Sequence, residues 1–223
     1  MDARPAAGYT TLSYVWGERR YHPRKIILNG HPFPVLESLY PALEAICDNP
    51  ELAIKNRRWW IDSICINQRN DREAMSERSS QVSLMGRIYS QSERAVVWLG
   101  EGMKDNENAM EFLNTLARSR NKPKRKFKVP ELQEPAKWKL LETLLLRPWR
   151  TRVWTLQEFV VAPKLTFYCG SKSIERNRFR AAMHSLWYCR ETGNPQIKED
   201  AFHPAWNRRR LIQWYESGKG SSN

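Results

Sequence analysis

Apolar residues along this chain fall into two patterns. Some form short β-branched and aromatic runs, and others recur every third or fourth position, and these are the signatures of strands and helices respectively. Tyr9 to Trp16 reads as a first strand, broken by Gly17. Lys25–Leu28 and His31–Val35 flank Asn29-Gly30 and read as a β-hairpin near 25–35. Asn-Gly suits a two-residue turn because both positions need positive φ. Pro32 and Pro34 would confine the second arm to an edge. Trp59 to Ile66 has the content of a buried strand, interrupted at Asp62 and closed by Asn67, Gln68, Asn70 and Asp71. Arg94–Leu99, ended by Gly100, and Lys164–Cys169, followed by Gly170 and a return to Ile174, are two further strands.

The helical pattern fills the gaps. Ser38 is placed to cap a helix to about Asp48, with Leu36, Leu39, Leu43 and Ile46 on one face. A second helix is expected from Asn70, with Glu73 three residues on as in a capping box, and with Val82, Met85 and Tyr89 as its buried stripe. Asn106–Arg118 and Ala136–Leu146 read as helices, the former with Met110, Leu113 and Leu116 roughly aligned. Arg147-Pro148-Trp149 opens another, since proline at the first turn loses no hydrogen bond. At about 100° per residue, Trp149, Val153, Leu156 and Val160 make its core stripe. Glu158 then lies nearly opposite, with Trp154 one turn earlier on the same side. Arg178–Trp187 and a segment near Trp206–Tyr215 complete the helices, and the tail from Gly218 is expected to be disordered.

Strands alternating with helices predict an α/β fold with a mainly parallel sheet and helices on both faces. Residues 101–146 break the alternation and read as a helical insertion. Sheets of this kind bind ligands beyond the carboxyl ends of their strands. The polar residues that follow Trp16 and Ile66 are therefore candidates for a site.

Composition narrows the classes. The chain has 223 residues, 41% of them hydrophobic, and ten tryptophans, which suits a folded globule. The net charge of +13 favours polyanionic partners. Lys122–Lys128 and Arg208–Arg210 are the basic clusters a nucleic acid would use, but the first is better read as a solvated surface loop than as a nuclear address or polyanion contact, and nucleic-acid binding is disfavoured. Four widely spaced cysteines form no CxxC; Cys65 and Cys169 read as reduced core residues. His22, His31, His184 and His203 make no metal pattern. No apolar run approaches a membrane span of about 20 residues, and the first residues lack a signal sequence. A soluble, cytoplasmic protein is expected. Neither a glycine-rich dinucleotide fingerprint nor a P-loop is present, and Ser13 has no His/Asp companion for a hydrolase triad.

Five separated blocks carry a resemblance. They are Ser13-Tyr14-Val15-Trp16-Gly17; Trp60-Ile61-Asp62-Ser63-Ile64-Cys65-Ile66-Asn67-Gln68; Gln81-Val82 with Met85, Ile88 and Tyr89; Val97-Trp98-Leu99-Gly100; and Arg147-Pro148-Trp149 with Arg152, Trp154, Gln157 and Glu158. In this order they resemble the fungal heterokaryon incompatibility (HET) domain over about residues 8–170. Ser63 stands where that family often has alanine, and Arg150 where it often has an aromatic residue. The resemblance implies a HET domain over 1–200, with a core at 8–175 and the insertion at 101–146, leaving 201–223 as a C-terminal helical segment and disordered tail. It also implies a fungal protein that triggers cell death in non-self recognition, with an upstream NLR-type or other incompatibility partner.

A more distant similarity, to TIR domains, bears on chemistry. The order of a Ser-Tyr strand, an Ile-Asp strand and a Trp-x-x-x-Glu helix is shared, which implies a TIR-like (flavodoxin-like) sheet. The glutamate of that motif cleaves NAD in TIR domains and corresponds to Glu158 here. The resemblance implies NAD or a related dinucleotide as substrate, with no bound cofactor, and self-association of the protein. Ser13, Trp16, Gly17, Arg19, Asp62, Asn67, Arg150 and Trp154 are the candidate substrate-binding residues. From the residues alone, a solvated Glu158, a packing Trp154 and a hydrogen-bonding anchor at Asp62 remain open, and the alternative function is a non-catalytic death-signalling adaptor.

Overall fold

The computed structural model describes residues 8–17, 23–54, 57–102, 104–119, 134–151 and 155–191. The chain divides into two compact units, Met1–Glu101 with Gln157–Ser171, and Gly102–Leu156 with Lys172–Asn223.

The first unit is built on parallel strands. β1 (Tyr9–Ser13) pairs on one side with β4 (Arg58–Ile61) and on the other with β5 (Arg94–Trp98), and β5 pairs with β6 (Leu165–Cys169). These four strands lie in the order β4-β1-β5-β6. Counted along the chain, that is 2-1-3-4, which reverses direction between its first and third strands as doubly wound sheets do. The reversal falls between β1 and β5.

Register fixes which residues share a face. Leu12 is opposite Ile61 and Val96, so all three point the same way, and they join a buried cluster with Leu39, Ala42 and Ile46. Leu39 precedes α1 (Tyr40–Asp48), and Ala42 and Ile46 lie on it; α1 therefore covers this face. Thr11, Trp60, Ala95 and Val97 point to the other. There Trp60 meets Tyr89 of α3 (Arg72–Gln91) edge-on, with ring centroids 6.0 Å apart. On the same face Phe167 packs on Phe159 of α6 (Thr155–Val161), also at 6.0 Å. Helices thus lie on both faces of the sheet.

The hairpin of β2 (Arg24–Leu28) and β3 (His31–Val35) turns at Asn29 (φ 52°) and Gly30 (φ 82°). Leu28 and His31 close the turn as a hydrogen-bonded pair. Pairs alternate along a hairpin, so Pro32 and Pro34 fall opposite Ile27 and Lys25 at positions that need no N–H. Arg24 ties the hairpin to its surroundings through a 3.3 Å ion pair with Glu37 and a stack on Tyr40.

In the second unit α4 (Lys104–Ser119) buries Met110, Leu113 and Leu116. Its Phe112 meets Trp138 of α5 (Pro135–Leu145) edge-on at 5.7 Å. Ser185 of α7 (Arg176–Glu191) donates to the Leu116 carbonyl at 3.0 Å.

Several sequence expectations need correction. The run 59–66 is not one strand: β4 stops at Ile61, and α2 (Asp62–Cys65) follows as a single turn. Asp62 causes the break, since its Oδ1 accepts from the Ser63 N–H at 2.7 Å and its carbonyl accepts from Ile66 N–H at 3.1 Å. Cys65 is consequently exposed, whereas Cys169 is buried. The first strand ends at Ser13, three residues short of Trp16.

Ser38 does not cap α1; its hydroxyl donates to the Trp16 carbonyl instead, and Leu39 occupies the cap position. The cap of α3 is Asp71, which accepts from Ala74 N–H at 2.8 Å, so the expected capping box at Asn70 and Glu73 is out of step by one residue. Met85 and Tyr89 are buried on α3 but Val82 is 40% exposed. The expected helix from Arg147 begins as a 3-10 turn, Pro148–Thr151, and α6 starts at Thr155.

Candidate functional site

The central correction concerns Glu158. The spacing placed it opposite the core stripe of its helix, yet it is only 3% exposed, alongside buried Thr155 and Phe159. The face of α6 is set by Phe159 on Phe167 and by a hydrogen bond from Ser13 Oγ to Glu158 Oε2. Ser13 is the last residue of β1 and is itself 2% exposed. A carboxylate is costly to bury unless a donor reaches it, and a hydroxyl at a strand end supplies one. The sequence signal for this pair was the Ser-Tyr strand together with Trp-x-x-x-Glu; the burial was not visible from spacing.

A second network follows β1. Trp16 Nε1 donates to Asp62 Oδ2 at 2.8 Å, which holds the indole in one orientation. Tyr14, buried, donates from its phenol to Ser63 Oγ at 2.6 Å. Asp62 is therefore the anchor of the turn after β4. Gly17 has φ +65°, and a Cβ there would come 3.3 Å from Ser38 Cβ. The chain after Trp16 thus needs glycine for both its backbone and its closeness to Ser38.

Two cavities flank this network. One, of about 470 Å³, is lined by Val15, Gly17, Ser38, Trp98, Gly100 and Glu101 among others. Apart from Ser38, which precedes α1, these residues follow β1 or end or follow β5, so the cavity sits at the reversal of strand order, where doubly wound sheets bind ligands. The other, of about 730 Å³, lies between the hairpin and the turn after β4. Trp16, Phe33, Val35, Ile64 and Ile66 form its apolar walls, and Asn67, Gln68 and Arg69 its polar end. Its size is that of a small-molecule site. Glu158 lines neither cavity.

Of the expected site residues, the structure brings Ser13 to Glu158, and Trp16 to Asp62. Trp16 and Asn67 line the larger cavity and Gly17 the smaller. Arg19 and Trp154 lie outside the described residues, as does the side chain of Arg150, and so do the basic loop 122–128, the segment 206–215 and the tail from 218. Phe33 and Arg69 are lining residues that sequence reasoning did not single out, and Gln68 stood there only among the polar residues that close the 59–66 run. Phe33 read only as part of a hairpin, and nothing in the sequence tells which loop that hairpin faces. Among the described residues no cluster of His, Cys, Asp and Glu is arranged to hold a metal, and no helix is long and apolar enough to cross a membrane.

A mainly parallel α/β sheet, with a cavity at the reversal of its strand order and a buried acid held at the end of its first strand, defines an α/β domain. Its sequence places it further. Residues 9–158 match the model of the family described as Heterokaryon incompatibility protein (HET), and the chain belongs to that family. It is also 30% identical, over 215 aligned residues, to "Heterokaryon incompatibility protein 6, OR allele" of Neurospora crassa. The match takes in 79% of this chain but 31% of that protein, so the chain spans about a third of its relative's length. No solved structure matches the chain.

Proposed function

We propose that this chain is a cell-death-inducing domain of fungal non-self recognition, and that it acts by hydrolysing NAD to nicotinamide and an ADP-ribose product. The family supports the first part. The second is supported above all by one observation: Glu158 is buried with its carboxylate on the Ser13 hydroxyl at the carboxyl end of β1. Desolvating an acid at a strand end costs stability, and such costs concentrate at functional sites.

The chemistry asks for little else. The nicotinamide of NAD is already a cationic pyridinium, so it leaves as a neutral molecule when the ribose C1′–N bond breaks and the bonding electrons pass to nitrogen. No proton donor is needed, unlike ordinary glycoside hydrolysis with its two carboxylates. Positive charge appears on the ribose, and one carboxylate can stabilise it. Water then adds at C1′ and releases a proton. In this reading Glu158 supplies the charge, Ser13 orients its carboxylate, and self-association is part of activation. A cytoplasmic location is part of the same reading.

A second reading is a non-catalytic adaptor that kills through protein association. It is favoured by the Ser13–Glu158 bond itself, since a buried carboxylate engaged by a strand-end hydroxyl also serves as a structural tie between β1 and α6. Expression of the chain in fungal hyphae separates them. The enzyme reading expects wild-type protein to kill and Glu158→Gln, at equal abundance, to spare the cells. Killing by both refutes it in favour of the adaptor.

A further inference from the structure

The larger cavity has a wall and an edge that together define a ligand. The wall is aromatic: Trp16, locked by its bond to Asp62, and Phe33 from the hairpin. The edge comes from Asn67 and Gln68, whose amides are each half-engaged. Gln68 Nε2 donates to the carbonyls of Asp62 and Ile66, at 3.4 and 3.0 Å. Two carbonyl acceptors fix which end of that amide is nitrogen, so Oε1 is left as an acceptor. Asn67 Oδ1 accepts from Arg69 N–H at 3.1 Å, so Nδ2 is left as a donor. Neither leftover atom has a partner among the described residues. Both residues line the cavity.

We infer that this cavity binds a planar nitrogen heterocycle carrying an acceptor beside an amino donor, stacked against Trp16 and Phe33. Adenine presents that edge with a ring nitrogen and its exocyclic amine, and nicotinamide presents it with its carboxamide. An asparagine or glutamine amide reads adenine through this same pairing of donor and acceptor. Aromatic walls supply affinity without choosing the ring, and the amides supply the choice. The inference deepens the proposed reaction by assigning a place for one ring of the dinucleotide, and rests on it only for the identity of the physiological ligand. Binding of the free heterocycle is independent of cleavage.

The test is calorimetric titration of the full chain with adenosine, nicotinamide and N6,N6-dimethyladenosine. Adenosine or nicotinamide should bind, and which of them binds more tightly identifies the ring. If it is adenosine, the dimethyl compound, which has lost the amino donor, should bind about tenfold more weakly, the worth of one hydrogen bond. Asn67→Asp keeps an acceptor for Arg69 N–H but turns the free donor into a charged acceptor, and should weaken the preferred ligand by at least a similar factor. Adenosine binding with no nicotinamide release from NAD would refute the proposed reaction and uphold this site. The inference is overturned if neither heterocycle binds at millimolar concentration. Where adenosine is the preferred ligand it is also overturned if the dimethyl compound binds equally well, and for either ligand if a folded Asn67→Asp binds unchanged.

Discussion

Ser13→Ala tests whether the bond between β1 and α6 is as consequential as its burial implies. The substitution removes one hydroxyl from a position that is 2% exposed and leaves the sheet's hydrogen bonds untouched. What is lost is a hydrogen bond to a carboxylate that is 3% exposed, where water cannot substitute freely. A hydrogen bond to a charged group contributes about 1.5–3 kcal/mol. For a chain of this size each kcal/mol shifts the melting temperature by roughly 2–4 °C, so the expected fall is about 3–12 °C. Calorimetry on wild type, Ser13→Ala, Glu158→Gln and the double variant closes a cycle. Glu158→Gln keeps an oxygen for Ser13 but removes the charge, so the hydroxyl should matter less in that background. A coupling of about 1 kcal/mol or more is expected. A coupling below about 0.3 kcal/mol, with Ser13→Ala melting like wild type, would show that the pair is incidental.

Other perturbations follow from the same geometry. Gly17→Ala forces a side chain into left-handed backbone at φ +65° and towards Ser38, and should destabilise by about 1–2 kcal/mol in urea unfolding. Phe167→Ala removes a ring that is 1% exposed and packs on Phe159, at a cost of about 3–5 kcal/mol, and should loosen α6 more than the hairpin in hydrogen exchange. Burial holds the Tyr9 phenol above its ordinary value of 10.0, and its O–H donates to the Ile88 carbonyl at 2.6 Å. The folded state therefore keeps that proton longer than the unfolded chain does. Stability from this group is complete below pH 10.0 and is lost as pH rises through the folded value; Tyr9→Phe should flatten that part of the alkaline unfolding curve.

The sheet was legible in the sequence because its strands are short runs of β-branched and aromatic residues, and turn residues such as Asn29-Gly30 marked where they ended. The hairpin boundaries came within a residue for that reason. Side-chain competition for backbone groups was not legible. Asp62 ends β4 inside an apolar run, and Ser38 gives its hydroxyl to a residue 22 positions away instead of to its own helix. The site was half legible. Ser13, Trp16, Asp62 and Glu158 stood out as polar or aromatic groups at strand ends and in motifs. Helical spacing gave the face of α6 wrongly, because seven residues carry too little periodicity to outweigh one aromatic contact and one buried hydrogen bond. The amide edge of the larger cavity depends on which atoms the backbone already occupies, which a linear pattern does not record.

Nicotinamide release from NAD, followed with purified wild type and Glu158→Gln over a range of protein concentrations, tests the central claim most directly. The account predicts release by wild type that rises more than proportionally with concentration, as assembly requires. It predicts a fall of about 100-fold or more on removing the carboxylate's charge. Equal release by the two proteins, or none from wild type even at the highest concentration, would contradict it.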